Sequence, residues 1–216
     1  MKAICNSILL TLLMSPLTAL AQAEIISPDV RGTITFGIKG GTNYSNVYDS
    51  EGEQFDADAK FGFAGGGFVS LPIGKLIGIQ PEVLYSQKGF QGSGILLGEQ
   101  YVIDRTTNYL DVPVFFLVKP VPILTLMAGP QFSYLLSQKD VLSDGTNSVE
   151  QEQEFENDDI RKNTLCFVSG LDINVRHFVI GGRAGWDLFN NNGDGTSTTP
   201  RYKNVWVQAT LAYRFY

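Results

Sequence analysis

Asn204-Val-Trp-Val-Gln-Ala-Thr-Leu-Ala-Tyr-Arg-Phe-Tyr216 closes the chain and alternates almost without a break. Val205, Val207, Ala209, Leu211, Tyr213 and Phe215 fall on one face, and Trp206, Gln208, Thr210, Ala212, Arg214 and Tyr216 on the other. A period of two sends successive side chains to opposite sides of a sheet, so this stretch reads as a strand whose faces meet different surroundings. The pattern runs to the last turn of the chain, whereas soluble domains commonly finish in a frayed polar tail.

Upstream the same rhythm recurs. Ile34, Phe36 and Ile38 oppose Thr33, Thr35, Lys39 and Asn43; Ile79, Val83 and Tyr85 oppose Gln80, Glu82 and Ser86; Ile180, Ala184, Trp186 and Leu188 oppose Arg183 and Asp187. Eight strands are expected, at Thr33–Tyr44, Lys60–Leu71, Leu76–Lys88, Asn108–Lys119, Ile123–Leu136, Thr164–Asn174, Phe178–Phe189 and Asn204–Tyr216. The fourth is less clean, since Val112, Val114, Phe116 and Val118 share a face but Phe115 and Leu117 are apolar on the other. Three connections are short (Pro72–Lys75, Pro120–Pro122, Val175–His177) and four are long (Ser45–Ala59, Gly89–Thr107, Ser137–Asn163, Asn190–Lys203). Alternating short turns and long polar loops is the plan of an outer-membrane barrel, with turns in the periplasm and loops outside. The fold class expected is therefore all-β, an eight-stranded antiparallel up-and-down transmembrane β-barrel. In hydrocarbon every backbone N–H and C=O needs a partner, and a sheet meets that demand only by closing on itself.

The first residues serve export rather than fold. Lys2, the apolar run Ile8–Met14 and the small-x-small triplet Ala21-Gln22-Ala23 come in the order of a cleaved signal peptide. Residues 1–23 are assigned to it, 24–32 to a short periplasmic segment and 33–216 to the barrel. Cleavage would carry Cys5 away and leave Cys166 alone, so no intramolecular disulfide is expected. The net charge of −6 becomes −7 when Lys2 leaves, and an acidic chain without a basic run argues against nucleic-acid binding. Gly numbers 23, matched by 9 Tyr and 14 Phe, a balance that favours sheet over helix.

Eight strands enclose an interior just wide enough for side chains to fill. The inward face carries Lys39, Arg183 and Arg214 with Glu82, Asp111, Asp172 and Asp187. Opposite charges in that number imply a paired lumen network that plugs the barrel rather than a conducting pore, because an unpaired buried charge costs several kcal/mol. Tyr44, Phe61, Tyr85, Phe132, Tyr134, Trp186, Tyr213 and Phe215 lie near strand ends, where interfacial aromatic girdles belong.

The ending resembles the C-terminal signal read by barrel-assembly machinery, with Phe215 in register and Tyr216 one residue extra. The chain as a whole resembles the PorT-like outer-membrane β-barrel family. The carrying residues are Thr35-Phe-Gly-Ile-Lys-Gly-Gly-Thr-Asn-Tyr44, Ile79-Gln-Pro-Glu-Val-Leu-Tyr-Ser-Gln-Lys-Gly89, Tyr109-Leu-Asp-Val-Pro113 and Gly129-Pro-Gln-Phe132. These motifs are structural and bring no catalytic residue with them; some relatives serve protein secretion or gliding, and most have no assigned activity.

Candidate chemistry is sparse. His177, the single histidine, falls in a periplasmic turn, far from the rim where a Ser–His–Asp set would work. Cys166 has no histidine near it in sequence and reads as a small apolar filler. Asn190, Asn192 and Asp194 with Gly195 match the front of an EF-hand loop, but Arg201 stands where the bidentate Glu is required, so an Asn/Gly-rich loop tip is the plainer reading. Glu150, Glu152, Glu154 and Glu156 form an acidic run, commonly a solvated segment and otherwise a cation-mediated contact to lipopolysaccharide phosphates or a basic partner. Ile95, Leu96 and Leu97 are apolar within a polar loop, and mark a partner contact or a strand extended above the membrane.

Together these features predict a non-enzymatic outer-membrane barrel with a filled lumen and no cofactor, structural or docking partners through its outer loops. Outer-membrane lipid and lipopolysaccharide, the assembly machinery and an envelope protein are the expected partners. The resemblance offers a component of a secretion or gliding apparatus instead. A soluble lipocalin-like ligand-binding barrel is the competing fold, and it would reverse which face is apolar.

Overall fold

The computed structural model describes residues 28–49, 56–96, 99–143, 148–153, 163–190 and 202–216. The proposed signal peptide lies outside these. Among the described residues nine strands run in chain order: β1 Thr35–Asp49, β2 Asp56–Pro72, β3 Ile77–Leu96, β4 Glu99–Val121, β5 Leu124–Ser143, β6 Ser148–Gln153, β7 Asn163–Val175, β8 Phe178–Asp187 and β9 Tyr202–Phe215. Every pairing is antiparallel between sequence neighbours, except that β7 pairs with β5 past the short β6, and β9 returns to β1 to close the cylinder. Eight strands make the barrel; among the described residues β6 pairs with the outer end of β5 alone, from Gln138 to Ser143.

The faces divide as the alternation requires. Ile34, Phe36, Ile38, Val83, Phe116, Ile180, Val207 and Leu211 are exposed on the outside, while Lys39, Glu82, Asp111 and Arg183 are buried within. Apolar side chains wet by solvent would be costly, so this surface is built for hydrocarbon. It rules out the lipocalin arrangement. From Ile34 to Tyr44 the chain advances ten residues, which at about 3.3 Å each and a tilt near 40° rises about 25 Å, the height of an outer-membrane apolar band. Tyr44, Phe61, Tyr85, Phe132, Tyr134 and Trp186 border that band on the loop side; Phe36 stacked on Phe215 at 5.3 Å, with Tyr213 and Phe178, borders it on the turn side.

Several expected boundaries move. All four long connections are partly strand: β1 runs on to Asp49, β3 to Leu96 and β4 begins at Glu99, β5 runs to Ser143 with β6 following, and β9 begins at Tyr202. The segment Gly89–Thr107 is thus almost wholly a hairpin, with Ile95 and Leu96 paired to Gln100 and Glu99. Thr33 does not join β1, because its N–H and hydroxyl both donate to Val30 O and close a turn. Phe189 likewise falls beyond β8, which ends at Asp187. The β7–β8 turn is tight, and Arg176 adopts φ 53° within it.

Candidate functional site

The lumen is the densest concentration of functional groups. Strands β1, β3 and β8 direct Lys39, Glu82 and Arg183 to one point, since each occupies an inward position of a strict alternation. Arg183 grips Glu82 with both terminal nitrogens, Nη1 to Oε2 at 2.7 Å and Nη2 to Oε1 at 2.9 Å. Lys39 Nζ donates to Oε1 at 2.7 Å, and Gln80 Nε2 reaches the same oxygen at 2.7 Å. Rings complete the setting: Arg183 lies over Phe115 and Lys39 over Phe68. Two cations share one carboxylate here. Asp172 lines the cavity just below, and its Oδ1 has no hydrogen-bond partner among the described residues.

The seven inward charges do not form one network. Asp111 pairs instead with Lys88, Nζ to Oδ2 at 3.0 Å, beneath the Trp206 ring 3.9 Å away. Asp187 accepts from Asn204 N at 3.0 Å, Asn204 Nδ2 at 2.6 Å and the Cys166 thiol at 3.1 Å. Cys166 is therefore more than filler: it packs in a small apolar cluster with Phe115, Leu117, Met127, Val168 and Trp206 while donating to a carboxylate. That cluster explains β4, whose inward Phe115 and Leu117 cap the polar groups instead of joining them. Arg214 sits apart at the turn-side mouth, half-buried, donating to Asn174 Oδ1 at 3.1 Å and Arg176 O at 3.2 Å. Lys88 escaped the sequence-based set although it shares the even parity of Gln80, Glu82 and Ser86; that parity was the available signal. The cavity between the central cluster and the turn-side mouth holds about 10 Å³, room for the centre of about one water molecule.

Above the apolar band a second polar cluster lines the barrel mouth. Arg105 makes a two-pronged contact with Asp140, both bonds 2.7 Å, and also reaches the Tyr202 hydroxyl. On the turn side, His177 Nδ1 donates to Arg214 O at 2.9 Å, its ring stacked on Tyr213 and Tyr216. This places it far from the outer rim. Near the N-terminal turn, Asp29 binds Arg31 at 2.8 Å, and the guanidinium also donates to Lys119 O and Pro120 O. The bond from Arg31 holds the Asp29 carboxyl down at about 2.

The remaining sequence candidates are less fully described. Ile95 and Leu96 belong to β3, and Glu150 and Glu152 to β6, as backbone only; Leu97, Glu154, Glu156, Asn192 and Asp194 lie outside the described residues. Asn190 is described, and its side-chain oxygen is buried without a partner among the described residues. Among the described residues, no three His, Cys, Asp or Glu side chains gather as metal ligands would.

A closed eight-stranded cylinder, apolar outside and charged within, is a transmembrane β-barrel of the outer-membrane kind. The outer membrane protein beta-barrel domain family matches residues 21–192, and the chain belongs to it. Its sequence matches no curated protein. Among solved structures it is similar to Neisserial surface protein A, with 10% identity, a TM-score of 0.50 and 83% of this chain covering 97% of that one. It is also similar to Ail, the attachment invasion locus protein of Yersinia pestis, at 15% identity and TM-score 0.47 over 84% and 98% of the two chains. At such identities the likeness bears on fold alone.

Proposed function

We propose that this outer-membrane barrel is a sealed scaffold, not a pore or an enzyme, that docks partners through the strands and loops above the membrane. The observation that carries the reading is the central cluster: Glu82, clamped by Arg183 and Lys39, occupies the lumen axis between β1, β3 and β8. Purified protein in a planar bilayer should show no wide, stable conductance; a steady open channel would overturn it. The docking half is supported by the outer hairpins, since β3, β4 and β5 continue well past the aromatic row. Shortening the β3–β4 hairpin should strip envelope partners recovered after cross-linking, while heat-modifiable gel mobility, which reports barrel folding, stays unchanged. The signal peptide fits export through cleavage after Ala23, and the final strand fits delivery by the assembly machinery. Assignment to the narrower PorT-like group, and with it service in a secretion or gliding apparatus, is a second reading. One feature favours it: among the described residues β6 is the last strand of the protruding sheet, and an edge strand can accept a strand from a partner.

A further inference from the structure

Charge is not balanced along the lumen. In the central cluster Lys39 and Arg183 face Glu82 and Asp172, two of each sign. Lys88 with Asp111, and Asp187 with Asn204, lie on the loop side of that cluster. On the turn side two further cations, Lys119 and Arg214, line the same cavity as Asp172. Lys119 Nζ donates to Ser70 Oγ at 3.1 Å, and Arg214 donates to Asn174 Oδ1 and Arg176 O, all of them neutral acceptors. Among the described residues neither cation forms an ion pair, either with a side-chain carboxylate or with the terminal one at Tyr216. Asp29, the other acid at this end, is held by Arg31 and Lys75.

The order of strands around the cylinder places β4 diametrically across from β9, so the two cations face each other from opposite walls. Lys119 reaches past β3 to Ser70 on β2, which is the register partner of Thr35 on β1. Arg214 reaches past β8 to Asn174 on β7, whose Nδ2 donates to Thr125 Oγ1 on β5 at 3.0 Å. Six strands thus contribute one polar side chain each to a ring at the turn-side mouth: Lys119, Ser70, Thr35, Arg214, Asn174 and Thr125. The space they line has room for about one water-sized group. Donors are in surplus there. An ammonium carries three, of which Lys119 uses one, and Arg214 Nε is buried with no partner among the described residues. Asp172 belongs to the deeper end, where its charge balances Lys39, and two buried cations without a counter-charge are unfavourable.

We propose that this ring binds one chloride-sized anion, taken up from the turn side. Inward-facing Lys and Arg set among hydroxyl groups make a ring of the kind that selects anions, and bonds from charged donors are the strong ones. Size selects the class of ligand: a site with room for one water-sized group takes a halide and shuts out phosphate and sulfate. The ion lies below the Glu82 clamp, so it enters and leaves by the turn-side mouth without crossing the barrel. The site is complete without the outer loops and without the clamp, and it therefore stands or falls apart from both the docking and the sealing readings.

The test uses the full chain folded in phosphatidylcholine vesicles and unfolded by urea, with gluconate replaced stepwise by chloride at constant ionic strength. One ion bound to the folded barrel alone should raise the folding constant by close to tenfold for each tenfold increase in chloride above its Kd. Lys119→Met with Arg214→Met keeps the aliphatic stems, removes both charges and should flatten that dependence. A flat dependence in wild type, or the same slope in the folded variant, would overturn the proposal. If the methionine pair does not reach the folded band in heat-modifiable gels, wild-type crystals soaked in bromide supply a readout that needs no variant. Anomalous scattering should then place a bromide within hydrogen-bond reach of both Lys119 Nζ and the Arg214 guanidinium. Bromide found nowhere, or only beside exposed cations such as Lys75, would overturn the proposal as well.

Discussion

Glu82 is the residue on which lumen sealing can be tested most sharply. Its carboxylate accepts four hydrogen bonds, two from Arg183, one from Lys39 and one from Gln80, all between 2.7 and 2.9 Å. Removing one partner of a buried ion pair costs roughly 3–5 kcal/mol, because the surviving charge stays buried and unpaired. Glu82→Ala strands two cations and belongs at the upper end; Glu82→Gln keeps the shape and one acceptor and belongs at the lower. Asp172 tempers both, since its Oδ1 is unpartnered among the described residues and lines the same cavity as Lys39. In an Asp172→Asn background the loss on Glu82→Ala should therefore grow by about 0.5–3 kcal/mol, the usual coupling between residues of one network. Replacing Lys39, Glu82 and Arg183 together by Met, Leu and Met should recover most of the stability, since an apolar set of similar volume is often neutral or better than a buried ion cluster. Reversible guanidinium unfolding in phospholipid vesicles gives each value. A loss below about 1 kcal/mol for Glu82→Ala in both backgrounds would mean that the carboxylate is solvated and the lumen wet, and the sealing argument would fail.

Leu211 lies mid-strand on the outer face, paired with Gly40 and Ile180; Leu211→Arg should cost about 2–4 kcal/mol in the same unfolding assay, and an unchanged midpoint would remove the residue from hydrocarbon. The two tryptophans separate the faces by fluorescence. Brominated acyl chains should quench Trp186, exposed in the girdle, and spare Trp206, buried against Gly185 and Lys88; quenching of both in single-tryptophan variants would refute the facing. Asp29 supplies a pH test. Its carboxyl is held at about 2 against an ordinary 3.8, so the contribution of its bond to Arg31 is full above 3.8 and disappears as pH falls through about 2. Carboxyl NMR of Arg31→Ala should return the Asp29 midpoint towards 3.8, and a midpoint still near 2 would assign the shift elsewhere.

Most of the cylinder was readable because lipid enforces contrast. Within the bilayer each outward residue must be apolar and each inward one is free to be polar, so Ile34, Phe36 and Ile38 against Thr35 and Lys39 announce a strand without any knowledge of its neighbours. Above the aromatic row that rule lapses. Outward Gln87, Gln91, Asp104 and Thr106 are polar, while inward Phe90 and Tyr109 are apolar, so the contrast fades and then inverts. Strand β3 was accordingly expected to stop at Lys88 and β4 to begin at Asn108, and the hairpin between them read as loop. The same loss of contrast hid the outward ion pair of Lys60 with Asp104: Lys60 reaches that face only through a bulge that depends on register between β2 and β3, which no pattern within a single strand encodes.

The partition of the lumen charges follows from shear rather than from composition. Parity along each strand assigns a residue to the inside, but which inward residues meet depends on how far each strand is staggered against the next. Lys39 and Glu82 belong to strands that are not hydrogen-bonded to each other, and Arg183 comes from the far wall, yet all three converge. Asp111 and Asp187 face inward and carry the same charge as Glu82, and stagger sends them to Lys88 and to Asn204 instead. Composition therefore sets how much charge the interior must neutralise, and register decides the partners. A one-residue slip between β2 and β3 would send Glu82 into lipid and Val83 into the lumen at once. The Glu82 clamp is thus as much a register lock as a plug, because only one pairing of the strands lets Arg183 and Lys39 reach the same carboxylate.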